Sequence, residues 1–181
     1  MAIRALTMRF TVASIAAAAS FPALAVDSVS FETGYGDHTR MVRVAIQSTW
    51  DKQWWKSNGT HVGGHWDLSL AHWRGSRAGD NRGHSQDIAV LGLTPVFRLQ
   101  NNSLRGFYVE AGIGAYLLSD LYDNDGKRFS TAFQFGDHVG LGYFFSNDLE
   151  IGLRIQHFSN ASIKKPNPGV NFAIVQLRYA F

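Results

Sequence analysis

The 181-residue chain contains no cysteine and only four prolines. The lack of cysteine excludes a disulfide framework, a cysteine nucleophile and a thiolate metal site. If the protein is exported, backbone pairing and side-chain packing must hold the fold without covalent cross-links. A closed β-barrel meets this requirement, because each of its strands is hydrogen-bonded along both edges.

Long apolar segments are missing too, and the excess of basic residues is small. After residue 25, no segment approaches the roughly 20 apolar residues of a transmembrane helix. The chain has 17 Lys and Arg residues against 14 Asp and Glu residues, and two of the arginines, Arg4 and Arg9, belong to the leader described next. This balance gives no case for a nucleic-acid partner.

The N-terminal residues predict a signal peptide over residues 1–25. Two arginines precede an apolar run rich in small residues, and Ala23-Leu24-Ala25 matches an A-x-A cleavage site. An uncleaved membrane anchor is the alternative, but the apolar run is short and rich in alanine. We therefore expect a mature protein with a single domain, residues 26–181.

Glycine, aromatic residues and a two-residue periodicity are abundant in the rest of the chain. It contains 18 glycines and is 13% aromatic, and its apolar residues alternate with polar or small ones, as in strands. About eight such segments follow one another, starting near residues 29, 42, 66, 87, 107, 133, 149 and 174. Eight is the smallest usual strand number of a membrane barrel. The sequence thus predicts an all-β fold, an eight-stranded antiparallel transmembrane β-barrel of the outer-membrane type.

The end of the chain and the loop lengths favour the bacterial outer membrane. The alternating face that ends at Phe181 resembles the C-terminal signature of bacterial outer-membrane proteins, although a strand of a soluble sandwich is the alternative. Tight turns at 101–103 and 146–147 contrast with longer polar loops, the asymmetry expected between periplasmic and outer ends. The connection that carries Trp54 and Trp55 is longer than a periplasmic turn should be.

An eight-stranded barrel has an interior that side chains just fill. A buried ionic network is therefore expected there, rather than a transport pore. Its members would be the charged residues on the inward faces: Glu32, Arg43, Asp67, Glu110, Arg154 and Arg178.

A candidate esterase site lies at the end of the seventh predicted strand. The lipid-facing series ending at Ile155 continues by twos to His157 and Ser159, and the corresponding face of the last strand leads to Asn171. Neighbouring antiparallel strands bring these ends together. A hydroxyl, an imidazole and an amide carbonyl then supply a nucleophile, a base and a group that orients the base. The H-x-S spacing alone is a weak motif, since strand ends at a membrane rim tolerate polar residues.

The longer string is more specific. His157-Phe158-Ser159-Asn160-Ala161, followed by Lys164-Lys165-Pro166-Asn167-Pro168-Gly169, resembles the active-site segment of PagL, the outer-membrane lipid A 3-O-deacylase family. The resemblance covers this segment and the terminal strand. It implies an eight-stranded barrel with a membrane-facing site that hydrolyses the ester-linked 3-hydroxyacyl chain at position 3 of lipid A. It also implies that Ser159 is the nucleophile, that His157 is the general base and that Asn160 helps form the oxyanion hole.

One position departs from the family pattern. Family members carry a glutamate 14 residues after the histidine, where this chain has Asn171. An amide carbonyl can orient the imidazole but lacks the charge that stabilises the imidazolium, and Asp→Asn in a serine protease costs about 10⁴ in kcat. No Asp or Glu lies between His157 and Phe181, so an acidic third member would have to come from another strand.

The remaining predictions concern substrate, cofactors and partners. Lys164, Lys165 and Asn167 are the candidate substrate-binding residues. The two lysines would bind lipid A phosphates, with a solvated loop as the alternative, and Asn167 between two prolines is expected to shape the loop. His65, His72, His84 and His138 lack zinc-site spacing among themselves, and no metal or cofactor is predicted.

Two alternative functions and the oligomeric state stay open. The order of the site residues also resembles outer-membrane phospholipase A, a calcium-dependent barrel of about twelve strands, for which the chain has no room. A non-catalytic barrel that serves as an adhesin or structural protein is the other alternative. The sequence does not decide the oligomeric state, a homodimer included.

Overall fold

The computed structural model of the protein describes residues 25–79 and 83–181. No helix in these two ranges is long and apolar enough to cross a membrane. Apart from Ala25, the predicted signal peptide lies outside the described residues, so its cleavage stays a prediction. The strands in chain order are β1 (Ser28–Gly36), β2 (Thr39–Thr49), β3 (Trp54–Ser57), β4 (Thr60–Gly75), β5 (Gln86–Asn101), β6 (Gly106–Leu118), β7 (Asp123–Asn124), β8 (Lys127–Arg128), β9 (Phe133–Phe144), β10 (Leu149–Ser159) and β11 (Val170–Ala180).

Eight long strands close into an antiparallel barrel, as predicted. Around the barrel they run in the order β2, β1, β11, β10, β9, β6, β5 and β4, and β4 pairs back with β2. The connections after β1, β4, β6 and β10 share one end of the barrel, which we call the loop end. Those after β2, β5 and β9 share the other, the turn end. The short strands β7 and β8 form a hairpin within the connection that follows β6.

The barrel has an apolar outer face and a charged interior. Side chains of the last strand, for example Val175, Leu177 and Tyr179, are about half exposed, as are their counterparts on the other long strands. Such a belt is typical of a surface covered by lipid. The ionic network predicted for the interior is confirmed. Its ion pairs are Glu32 with Arg43 and Arg154, Asp67 with Arg43, and Glu150 with Arg178 and Arg98, which also binds Glu110.

An aromatic cluster fills the interior towards the loop end. Phe158 of β10 packs edge-on against Trp73 and Tyr116, with ring centroids 4.7 and 5.0 Å apart, and Trp73 also contacts Phe172 of β11. Tyr122, from the connection after β6, covers Trp73 with its centroid 6.1 Å away. This cluster supports β10 and β11 from inside at the level of the predicted esterase site.

The long connection at the turn end contains a small aromatic cluster. Strand β3 folds onto the start of β4, and the Trp50 ring contacts Trp54 and Trp66 at 6.0 Å and Phe97 at 5.0 Å between centroids. The ring lies over Gly64, where a Cβ atom would come within 2.4 Å of Trp50 Cζ3. The connection is long because it carries a paired strand and a packed indole.

Candidate active site

The last residues of β10 place two of the predicted site residues on the lipid-facing wall. His157 and Ser159 point outwards and are half-buried, while Phe158 between them is buried in the aromatic cluster. His157 is directly opposite Asn171 of β11. The strand pairing therefore brings these residues together at the loop end, as the alternation of the sequence predicted.

The His157 imidazole is oriented by Asn171. Its Nδ1 atom lies 2.7 Å from Asn171 Oδ1. Since Oδ1 can only accept, Nδ1 donates the hydrogen, and Nε2 is left as an acceptor. An acceptor at Nε2 is what a general base for a serine hydroxyl requires.

Ser159 is two residues further along the same face. It is directly opposite Phe135 of β9 in the strand register. In the described part of the chain, no hydrogen bond joins Ser159 Oγ to His157. Hydrogen bonds of this kind commonly tighten only when substrate is bound.

Two asparagines hold the connection between β10 and β11. The buried Asn160 side chain donates from Nδ2 to Lys164 O at 2.8 Å and to Ser130 Oγ and Thr131 Oγ1, each at 3.1 Å. The Asn160 backbone N–H donates to Asn167 Oδ1 at 3.0 Å. Asn167 thus shapes the loop. The oxyanion role of Asn160 stays a prediction, because its N–H groups are bonded to loop oxygens in this conformation.

Gly169 packs against the imidazole from the same connection. Its φ of +71° is in the left-handed region, and a Cβ atom there would lie 2.4 Å from His157 Cε1 and 3.0 Å from Nε2. Only glycine combines this backbone conformation with so close an approach. No sequence pattern indicates this role, because the contact depends on how the loop folds back.

Asp37 positions the start of β11 and was missed by the sequence analysis. Its carboxylate accepts the Asn171 backbone N–H at 2.9 Å and an ion pair from Lys127 Nζ at 2.7 Å. Asp37 and His38 have φ values of +49° and +56°, the two left-handed residues of a tight hairpin turn. The backbone carbonyl of Asp37 also accepts the hydroxyl of Tyr122 at 3.2 Å, and burial raises the pKa of that hydroxyl, which keeps it a donor.

Asp137 is an acidic residue on a neighbouring strand, close to the candidate site. It lies on β9 directly opposite His157, on the side away from Asn171, and its side chain is exposed on the same outer face. No ion pair within 4 Å joins the two residues in the described structure. The available signal was parity, since Asp137 interrupts the outward apolar series between Phe135 and Val139.

The two predicted substrate-binding lysines are exposed at the loop end. The Lys164 backbone carbonyl is bonded to Ser130 Oγ at 2.7 Å. Lys165 lines a cavity of about 570 Å³ between the β10–β11 connection and the β7–β8 hairpin, together with Arg128 and Asn167. Arg128 is paired there with Asp123.

Fold and site together define a class of protein. An eight-stranded barrel with an apolar belt carries a serine and an oriented histidine on its outer wall, where a lipid ester can reach them. This arrangement is that of a β-barrel lipid hydrolase of the outer membrane.

Comparison with known proteins identifies the family. The model of the family described as lipid A 3-O-deacylase (PagL) matches residues 40–180. The chain is 39% identical over 164 residues to the lipid A deacylase PagL of Bordetella bronchiseptica, covering 84% of this chain and 82% of that protein. It is 32% identical over 128 residues to the lipid A deacylase PagL of Pseudomonas aeruginosa, covering 71% and 70%. The chain therefore belongs to the PagL family, as its resemblance in sequence predicted.

A solved structure supports the same assignment. The crystal structure of the outer membrane enzyme PagL superposes with a TM-score of 0.73 at 26% identity, covering 85% of this chain and 99% of that one. The protein is thus an ester hydrolase of the outer membrane, as predicted, and the barrel is its membrane-embedded part.

Proposed function

We propose that the protein removes the ester-linked 3-hydroxyacyl chain from position 3 of lipid A, with Ser159 as nucleophile and His157 as general base. The observation that carries the proposal is the hydrogen bond from His157 Nδ1 to Asn171 Oδ1 at 2.7 Å, on the lipid-facing wall beside Ser159. The bond orients Nε2 as the base, and Ser159 is the hydroxyl on the same face two residues away. Membership of the PagL family supports lipid A as the substrate.

The reaction follows the course of other serine esterases. His157 Nε2 takes the proton of Ser159 Oγ as Oγ attacks the ester carbonyl, and then protonates the departing sugar oxygen. The resulting acyl-serine is hydrolysed by a water molecule that His157 activates in the same way. A lipid-facing site suits this substrate, because the acyl chain stays in the outer leaflet throughout.

The oxyanion of the tetrahedral intermediate requires preorganised N–H donors. We assign this role to Asn160 and the backbone N–H groups next to Ser159. Because the Asn160 side chain is bonded to three loop oxygens, its backbone N–H is the favoured donor. The oxyanion would replace the Asn167 amide oxygen that accepts this N–H in the free protein.

Asp137 supplies the negative charge that Asn171 lacks. As His157 takes the serine proton, positive charge develops on the imidazole, and a carboxylate on the neighbouring strand stabilises it through space. The orienting and the charge-stabilising functions of one glutamate are thus divided between Asn171 on β11 and Asp137 on β9.

The cations near the site loop are proposed to bind the lipid A head group. Lys164 and Lys165 are exposed, and the cavity beside Lys165 opens at the loop end. Phosphate groups of lipid A would be attracted there. The homodimer that the sequence left open stays a hypothesis, which sedimentation of the detergent-solubilised protein can test.

The proposal is tested by mass spectrometry of lipid A from cells whose outer membrane lacks other deacylases. Wild-type protein is expected to remove one 3-hydroxyacyl group, and Ser159→Ala is expected to remove none. Ser146→Ala, at the turn end, is the matched control and should behave as wild type. Unchanged lipid A with correctly folded wild-type protein would contradict the proposal and favour a non-catalytic barrel. The phospholipase alternative requires about twelve strands, and this barrel closes with eight.

A further inference from the structure

Two arginines lie side by side on the outer wall, away from the esterase site. Arg40 of β2 and Arg74 of β4 are directly opposite each other, and both are exposed at the loop end. Like charges in this position destabilise a strand pair unless a counter-charge is present. Within the described residues Arg40 has no ion-pair partner. Among the described residues, the carboxylate that pairs with Arg74 is Asp87 at 3.8 Å, which is bound more closely by His72 at 3.0 Å.

The arginines line a cavity of about 410 Å³ whose described walls carry hydrogen-bond donors. Its other lining side chains include Tyr35, His38 and His84, and none of the described lining residues is acidic. The nearby carboxylate of Asp125 is already paired with Arg77 at 2.7 Å and with His38 at 3.3 Å. Two guanidinium groups, imidazoles and hydroxyls around one hollow form a site for an anion, above all for a phosphate.

The position of the cavity identifies the anion. It opens on the outer face at the loop end, where the barrel meets the head groups of the outer leaflet. Tyr35 is directly opposite Arg40 on one side and Ala173 on the other, and a tyrosine at this level is typical of a membrane interface. From β10 to β2 there are three strand spacings, about 14 Å along the wall. Arg74, on β4, is one strand further, so a lipid head group held at the arginines lies at the same end of the barrel as the esterase site but on a different side of its wall.

We infer that Arg40 and Arg74 form a binding site for a phosphate group of lipid A in the outer leaflet. The inference depends on the outer-membrane location of the barrel and is independent of the roles of Ser159 and His157. It adds a fixed anion site on β2 and β4 to the esterase site on β10 and β11.

The test uses the full-length folded protein in detergent micelles, with Ser159→Ala as the background so that no lipid is consumed. Binding of lipid A and of the same lipid freed of its phosphates is measured by titration. Replacing both arginines by glutamine (R40Q/R74Q) is expected to weaken binding of the phosphorylated lipid by about tenfold or more, since charge-assisted hydrogen bonds are lost. Binding of the phosphate-free lipid should not change.

A matched pair of cations at the opposite end of the barrel is the control. Replacing Lys52 and Lys56 by glutamine (K52Q/K56Q) removes the same charge and should leave both affinities unchanged. Equal affinity of R40Q/R74Q and its parent for phosphorylated lipid A would overturn the inference, and so would an equal loss in the lysine control. Circular dichroism confirms that each variant is folded.

Kinetic measurements on the active enzyme, in which Ser159 is retained, then identify the lipid molecule that the site holds. A raised KM with unchanged kcat in R40Q/R74Q shows that the phosphate belongs to the lipid being hydrolysed. An unchanged KM, with the binding loss above, shows that it belongs to a neighbouring lipid A molecule. Both results support the phosphate site. If the wild type proves inactive on lipid A, the binding result still decides the inference, and only the proposed function fails.

Discussion

The residue that departs from the family pattern is Asn171, and its consequence is chemical. Its amide oxygen fixes the imidazole tautomer at 2.7 Å, as a carboxylate would, but brings no charge. Its backbone N–H is held by the Asp37 carboxylate. Asn171 is thus held through both its side chain and its backbone. Only a negative charge to stabilise the imidazolium would have to come from another residue.

Asp137→Asn tests whether Asp137 supplies that charge. We expect kcat for acyl release from lipid A to fall about tenfold, less than the roughly 10⁴-fold loss when a directly bonded triad aspartate is replaced. The loss should shrink when Asn171→Glu is added, because a carboxylate then binds the imidazole directly. A purely structural role of Asp137 would give the same loss in both backgrounds. Asp148→Asn, at the turn end, is the control and should leave kcat unchanged.

The site residues that follow from local alternation could be predicted from the sequence. Those that are brought together only by closure of the barrel could not. His157, Ser159 and Asn171 follow from counting by twos along two strands joined by one loop. Asp37 meets Asn171 only because β1 pairs with β11, a contact between the two ends of the chain. No local pattern encodes that contact, although the short turn after β1 could have been recognised from Gly36-Asp37-His38-Thr39.

At the scale of the element, the connection between β10 and β11 restrains His157, the proposed general base. The bond from the Asn160 N–H to Asn167 Oδ1 joins its two halves, and Gly169 lies close to the imidazole at Cε1 and Nε2. The sequence predicted that Asn167 shapes the loop, and this bond shows how. The hydrogen bond to Asn171 and the contact with Gly169 hold the ring from two directions.

Gly169→Ala is expected to displace the His157 ring and to lower kcat at least tenfold, because the added methyl group would lie 2.4 Å from Cε1. The barrel itself should remain folded. Gly59→Ala is a matched control, since Gly59 has a similar φ of +78° but open space around its Cβ position. Activity in detergent and the guanidinium midpoint of both variants are measured. Equal losses of activity in the two would show that backbone strain, not contact with His157, is responsible.

Strand boundaries could be predicted from the sequence where the alternation is regular. The prediction failed where the packing is irregular. Six of the eight long strands begin within three residues of the start expected from the sequence, whereas β4 begins six residues before Trp66 and β11 four residues before Ile174. The short strand β3 has only four residues and a register shift against β4, so its pattern is too brief to predict. The Trp50 ring over Gly64 accompanies it, a packing contact that no local alternation encodes.

At the scale of the whole molecule, alternate residues of the long strands form two sets of side chains, one facing outwards and one facing inwards. The outward set meets lipid, and the inward set fills a barrel too narrow for a water channel. The described interior holds four arginines, Arg43, Arg98, Arg154 and Arg178, and four carboxylates, Glu32, Asp67, Glu110 and Glu150. Because the numbers are equal, these eight side chains carry no formal net charge together. The sequence predicted six of these eight residues; it missed Arg98 and Glu150, although both alternate with outward apolar residues in the same way.

Glu32→Ala tests how far the barrel depends on this network. Glu32 accepts hydrogen bonds from Arg43, Arg154 and Gln176 and is fully buried. Its removal leaves two buried guanidinium groups without their shared partner, which costs about 3–5 kcal/mol when a buried pair is broken. The free energy of unfolding in detergent, measured with guanidinium, should fall by that amount.

Asp148→Ala supplies the comparison for the buried pair. Asp148 is bound to Arg105 at 2.6 Å, but both side chains are more than one third exposed. A solvated pair contributes about 0–1 kcal/mol, so this variant should unfold close to the wild type. If Glu32→Ala is no more destabilising than Asp148→Ala, water must enter the interior and solvate the arginines. The barrel would then be stabilised chiefly by its closed backbone pairing and its aromatic cluster. The ionic network would fill the interior without contributing much to the free energy of unfolding.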